Sequence, residues 1–256
     1  MDVLRKELND IYVAQGLRYE TLSQVAVQEA VRLAADYAQI SGCCVVVTDM
    51  AADRSFFLPG NVAHMLHLPA ENMTYKEVDS SDEDFLYSRM YPEDLVDLRM
   101  LEYELFKMLN PLPAVEKTHY QAYATVRMHI DDQKTVMVNK GTRVMRLSPA
   151  GKMWLVCCTY DVPLCAEWGG TNPIIVNNTT GEIQPLSFSS KRQTILTDRE
   201  KQVLSLIRSG MLSKEIACEL GISQNTVHRH RQNILEKLSV DNSMEAVNAA
   251  IAMRLL

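Results

Sequence analysis

The chain has 256 residues, 47% of them hydrophobic and 23% charged, with 26 Lys and Arg against 32 Asp and Glu for a formal net charge of −6. That length fits one large domain or two smaller ones with real cores. No apolar run approaches the roughly 20 residues that a bilayer span requires. MDVLRKELND at the start has no apolar signal segment behind a basic stretch. The expectation is a cytoplasmic protein without a membrane partner, its six cysteines reduced rather than bridged.

In chain order, residues 3–15 and 20–39 are predicted helices. In the second, Leu22, Val25, Ala26, Glu29, Leu33 and Tyr37 form a stripe that Ala30, Ala34 and Ala38 widen. That stripe packs either on its own domain or on a second copy; periodicity does not separate the two. Cys43–Thr48 is a β-branched strand, Asp49–Arg54 a turn and Arg54–Leu58 a second strand. Short helices are predicted over Asn61–Leu68 and Asp82–Met90. Pro92 starts a helix to Met108, with Glu93 and Asp94 at its positive end. His119–Ile130, Thr135–Leu147 and Lys152–Tyr160 read as antiparallel strands separated by turns at Asp131-Asp132 and Ser148–Gly151. Ile174–Val176 and Glu182–Leu186 flank a hairpin loop. Two strands, several helices and three more strands make an α+β plan with one sheet.

The tail has a different pattern. Thr197 and Glu200 fit a capping box. Val203, Leu204, Leu206 and Ile207 then follow core spacing until Ser209-Gly210. Ser213 is placed to cap KEIACEL, whose inner face is Ile216, Ala217 and Leu220. Gly221 suits the left-handed turn into a helix capped by Ser223. On that helix Val227, Ile234 and Leu238 share one face, with Leu235 at its edge. Asn225, His228, Arg229 and Gln232 share the other, with Glu236 at its far end. A fourth helix, about Ser243–Arg254, offers Ala246, Val247, Ala250 and Ile251 to the same core. Helix, Gly-containing turn, helix is the helix-turn-helix plan. From Lys191 onward ten Lys and Arg face seven Asp and Glu, so a basic tail follows an acidic body.

LTDREKQVLSLIRSGMLSKEIACELGISQNTVHRHRQNILEKLSV resembles the LuxR/GerE-type DNA-binding domain of bacterial transcription regulators, over about a quarter of the chain. The matching pieces are Leu196–Glu200, Lys214–Ala217, Gly221–Ser223, Thr226-Val227, His230 and Asn233-Ile234. His228 departs from the pattern, which often has Lys there, so a neutral imidazole replaces a positive charge. The resemblance implies double-stranded DNA as partner, bound by a dimer on a two-fold site. His228, Arg229 and Gln232 are then the base-contacting candidates, and Lys214, Asn225, Thr226 and Arg231 the phosphate-contacting ones.

VVVTDMAADRSFFLPGN, YPEDL and SPAGKMWLVCCTYDVP, in that order, resemble a PAS sensor domain over roughly residues 40–165. The expected architecture is therefore an α+β PAS-like domain followed by an all-α four-helix helix-turn-helix domain. Its segments are an N-terminal helical segment, 1–40; the PAS-like domain, 41–186; a linker, 187–194; and the DNA-binding domain, 195–256. The PAS resemblance puts the first strand beside the last, with Cys43 and Cys44 near Cys157 and Cys158, one of each pair facing the core. Small apolar fillers and a redox or soft-metal pair are both open readings.

The chain has no G-x-S-x-G elbow, Walker A loop, G-x-G-x-x-G or H-E-x-x-H, so an enzyme is not expected, nor is a cofactor or metal assigned. Asp49 ends an apolar strand as a phospho-acceptor would, but the alternation of a receiver domain is missing. His64 and His67 lack a second ligand pattern for haem. The front domain is thus a receptor for a small molecule or protein signal, a pure interaction module, or a redox or haem sensor.

Overall fold

Strand propensity and turn chemistry place seven of the eight strands where the sequence predicts them; Lys76–Val78, expected to lie in a polar connection, instead pairs as a short strand along Arg54–Leu58. The strands are β1 (Cys44–Asp49), β2 (Arg54–Leu58), β3 (Lys76–Val78), β4 (Tyr120–His129), β5 (Thr135–Leu147), β6 (Met153–Asp161), β7 (Ile174–Asn177) and β8 (Ile183–Pro185). They form one sheet in the order β3-β2-β1-β6-β5-β4-β7-β8, with every named pair antiparallel. The computed structural model describes residues 2–81, 83–131, 134–163, 169–188, 195–238, 240–252 and 255–256. From residue 189 on, the expected linker lies outside the described residues. Two compact units emerge: Leu8–Leu186, and Ser187–Leu256 together with Met1–Glu7.

In the larger unit β1 does lie beside β6. The register sets Cys44 opposite Tyr160, and Cys157 and Cys158 opposite Val47 and Val46, so the cysteine pairs are offset along neighbouring strands. Cys43, Cys44 and Cys158 are all buried as free thiols. The expectation that one cysteine of each pair faces a core is too narrow for Cys43-Cys44, because both faces of the sheet are covered there. Burial pushes the Cys44 thiol up to about 11 and the Cys157 thiol up to about 12. Such neutral thiols behave as small apolar fillers.

After α1 (Asp2–Ala14), the helix α2 (Gln24–Ser41) is capped by Ser23, whose hydroxyl accepts from Ala26 N–H, and is stopped by Gly42 at φ 77°. It packs through Val27, Ala30, Ala34 and Ala38 onto Cys43, Val45, Val47, Phe56 and Leu58. The predicted stripe is thus rotated. Val25, Leu33 and Tyr37 are 63%, 62% and 51% exposed, because alanines let the helix backbone approach the sheet more closely.

On the other side of the sheet lie α3 (Asn61–Met65), α4 (Asp84–Tyr87) and α5 (Pro92–Leu109), followed by α6 (Ala114–Lys117). The first two are shorter than predicted; His67 at φ 48° turns the chain out of helix. Pro92 opens α5. Asp94 and Glu93 there are not only dipole partners. Arg127 forks onto both Asp94 oxygens, at 2.8 and 3.0 Å, and onto Glu93 at 2.6 Å.

Among the described residues, no helix is long and apolar enough to cross a membrane.

Candidate nucleic-acid interface

The tail contains α7 (Asp198–Arg208), α8 (Ser213–Glu219), α9 (Gln224–Leu238) and α10 (Ser243–Ala252). Thr197 and Glu200 close the capping box: Thr197 Oγ1 accepts from Glu200 N–H and Glu200 Oε2 accepts from Thr197 N–H. Glu200 is 2% exposed and also receives Lys237 Nζ of α9 at 2.7 Å. Burial works against the Glu200 carboxylate, but Lys237 and the Thr197 N–H hold its pKa below the usual value. Ser213 is the first residue of α8 and not its cap; the flank is Leu212, whose N–H donates to Glu215 Oε2. Gly221 takes φ 63° at the turn, the conformation that L side chains rarely adopt.

Val203, Leu204, Ile216, Ala217, Val227, Ile234, Leu238, Ala246, Val247 and Ala250 are buried. Leu206, Ile207 and Leu220 are half-buried. Ile251, expected in the core, is 47% exposed, whereas Ala249 is buried. Arg199 of α7 donates to Leu220 O at the end of α8 at 2.7 Å.

This core fixes which face of α9 is free. Asn225, His228, Arg229 and Gln232 are exposed on it, and Lys214 is exposed on α8. None of these five side chains has an intramolecular hydrogen bond or ion pair among the described residues. Thr226 is half-buried, its N–H donating to Ser223 Oγ at 3.1 Å and its hydroxyl 2.9 Å from the same oxygen. Arg231 stands apart: its guanidinium donates to Ser213 Oγ at 3.1 Å and Ser243 Oγ at 2.8 Å, tying α9 to α8 and α10. Five of the seven sequence-predicted residues therefore stand unengaged, and two are held within the fold.

The family model of bacterial regulatory proteins, luxR family, matches residues 194–250. The transcriptional regulatory protein UhpA of Escherichia coli is 52% identical over 205 residues, 78% of this chain and 95% of UhpA. The chain belongs to the luxR family of bacterial regulatory proteins. A second luxR-type relative, the transcriptional regulatory protein DesR of Bacillus subtilis, is 54% identical over 52 residues, 20% of this chain and 26% of DesR. A solved structure of the LuxR-type receptor VqmA of Vibrio cholerae is 16% identical and covers 91% of this chain and 87% of VqmA, at a TM-score of 0.30. That score is below the level that establishes a shared fold.

Among the described residues no cluster of three His, Cys, Asp or Glu could hold a metal ion, and His64 and His67 are exposed. Asp49 is 4% exposed, and its Oδ1 accepts from Trp154 Nε1 at 2.9 Å and Ala51 N–H at 3.0 Å. It lies in an antiparallel sheet and serves as a turn-closing acceptor.

One cluster was not visible from sequence. Lys140 of β5 is 1% exposed. It donates to Glu102 of α5, to Tyr87 Oη at 3.0 Å and to Thr142 Oγ1 at 3.4 Å, with Glu83 at 3.9 Å. Arg99 Nη1 lies 3.7 Å from Glu102, and Tyr160 donates to Glu83. Burial opposes the Lys140 ammonium, but Cys158, Glu102 and Glu83 hold its pKa well above the usual lysine value. Two cations and two carboxylates thus balance inside the unit. The available signal was parity: Lys140 shares a face with Val138, Thr142 and Val144 of the same strand.

Proposed function

We propose that this luxR-family DNA-binding transcription regulator reads duplex sequence with α9, and that its larger unit is a PAS-like domain receiving a small-molecule or protein signal. The observation carrying the reading is the free polar face of α9, where Asn225, His228, Arg229 and Gln232 stand exposed with no internal partner. Side chains already bonded inside the fold would have to give up those bonds to meet a base; these do not.

In this reading α9 lies in the major groove. Arg229 bridges the two acceptors of a guanine and Gln232 an adenine, while His228 contributes a shorter, neutral contact. Lys214, Asn225 and Thr226 meet phosphates and set the register. Arg231, expected from the family pattern to meet a phosphate, serves as a positioning residue through Ser213 and Ser243. The domain division at 1–40, 41–186, 187–194 and 195–256 is part of the same reading, as is binding by a dimer to a two-fold site. The sheet order β2-β1-β6-β5-β4, with β1 beside β6, supports the PAS-like assignment. Selection of bound duplexes from a random pool by the full chain tests the proposal. Enrichment of one two-fold motif is the expected result; a pool that stays random would refute it.

A further inference from the structure

The face of the sheet that α2 only partly covers holds a second candidate site. Beside α2, above β4, β5 and β6, runs a groove of about 450 Å³, a size that suits a small ligand. Antiparallel register builds its floor. Tyr123, Gly141, Thr159 and Val45 stand in one cross-strand row, and Gln121, Arg143, Cys157 and Val47 in the next. Leu33 and Tyr37 of α2 form one wall.

Polar groups in that floor are unspent. Gln121 is 8% exposed, yet its amide has no hydrogen-bond partner among the described residues, and the same holds for the Thr159 hydroxyl. Neither group is among the sealed, partnerless polar atoms of the described residues, so both face the groove, where water or a ligand can meet them. Both groups converge on one point. A Cβ on Gly141 would lie 2.6 Å from Thr159 Oγ1 and 2.9 Å from Gln121 Nε2. Only glycine leaves that space open. Arg143 is half-buried beside them and donates to Thr118 O at 3.2 Å. It has no carboxylate partner among the described residues. Asp161 is exposed at the end of β6.

We propose that this groove binds a small aromatic carboxylic acid, its ring between Tyr37 and Tyr123 and its carboxylate received by Arg143, Gln121 and Thr159. The floor offers an uncompensated cation and two further donors, which favours an anion, while Leu33 and two tyrosines favour a flat apolar body. The site lies on the opposite face from the Lys140 cluster. It rests on the reading of the larger unit as a sensor.

Titration calorimetry of the full chain with indole-3-acetate, against neutral indole-3-acetamide, tests the assignment. The expected result is saturable one-to-one binding of the acid, at least about tenfold weaker for the amide. Arg143→Gln and Thr159→Val should each weaken the acid by about five- to tenfold; Arg143→Gln keeps a polar side chain at a half-buried position and Thr159→Val keeps the shape. Absence of saturable binding, or binding unchanged in both variants, would overturn the site. Duplex selection with the same preparation, without the acid, separates the two readings. A chain that selects DNA but ignores the acid overturns this inference alone. A chain that binds the acid but selects no duplex overturns the regulator reading and leaves the groove standing.

Discussion

Replacing Arg229 by Ala isolates the contribution of α9 to sequence reading. The side chain is exposed and makes no intramolecular hydrogen bond or ion pair among the described residues. Its loss should therefore leave the fold within about 0.5 kcal/mol of the parent, as surface changes usually do. A bidentate Arg–guanine contact carries about 1–3 kcal/mol of discrimination. At 1.4 kcal/mol per decade, that is about a 5- to 140-fold loss of affinity for the selected duplex. The loss should be concentrated at one base pair of each half-site. Lys214→Ala is the contrasting change: a phosphate contact weakens all sequences alike and lowers the salt slope by about one. Fluorescence anisotropy with the selected duplex, its single-base variants and a random competitor, over a salt series, measures both. Equal losses on selected and random DNA for Arg229→Ala would refute the base-contact reasoning. So would a fall in melting temperature that accounts for the weaker binding.

Arg231→Ala should behave in the opposite way. It removes two charge-assisted bonds, to Ser213 and Ser243, and should cost about 1–3 kcal/mol of tail stability, read by thermal unfolding. An unchanged midpoint with a salt slope lower by one would restore it as a phosphate contact. Glu200 predicts a pH effect. Its folded pKa lies below the ordinary 4.5, so its stabilisation is present above that value and lost as pH falls through the lowered native one. Acid unfolding of the parent should steepen below about pH 4.5, and Glu200→Gln should flatten that slope; parallel curves would count against the Lys237 and Thr197 account. In the larger unit, Lys140→Met strands Glu102 and Glu83 and should cost about 3–5 kcal/mol. The double change Lys140→Met, Glu102→Leu should recover part of that cost in urea unfolding; equal cost in both would show that the pair is not coupled. Gly221→Ala, with open space around the added Cβ but φ at 63°, should cost about 1–2 kcal/mol through the backbone alone.

The tail was legible because its signals are local. Capping by Thr197 and Glu200, the stop at Gly210, the turn at Gly221 and the spacing of Val227, Ile234 and Leu238 each act within a few residues. The strands were legible for a similar reason, since alternation and turn residues are read along the chain. The bonds of Arg231 to Ser213 and Ser243 were not legible, because a guanidinium on a polar helix looks the same whether it meets solvent or two serines from other helices.

Sequence by itself determined most of the element order, though not β3 or α6, and the polar face of α9, through periodicity and short-range hydrogen bonding. It could not choose between two adjacent stripes of α2, because Leu33 and Tyr37 score as well as Ala30, Ala34 and Ala38 until the sheet that receives the helix is in place. Nor could it place Lys140 against Glu102, 38 residues apart, or bring Gln121, Gly141 and Thr159 to one point. Those juxtapositions come from strand register and from packing between distant segments, which only the tertiary structure decides.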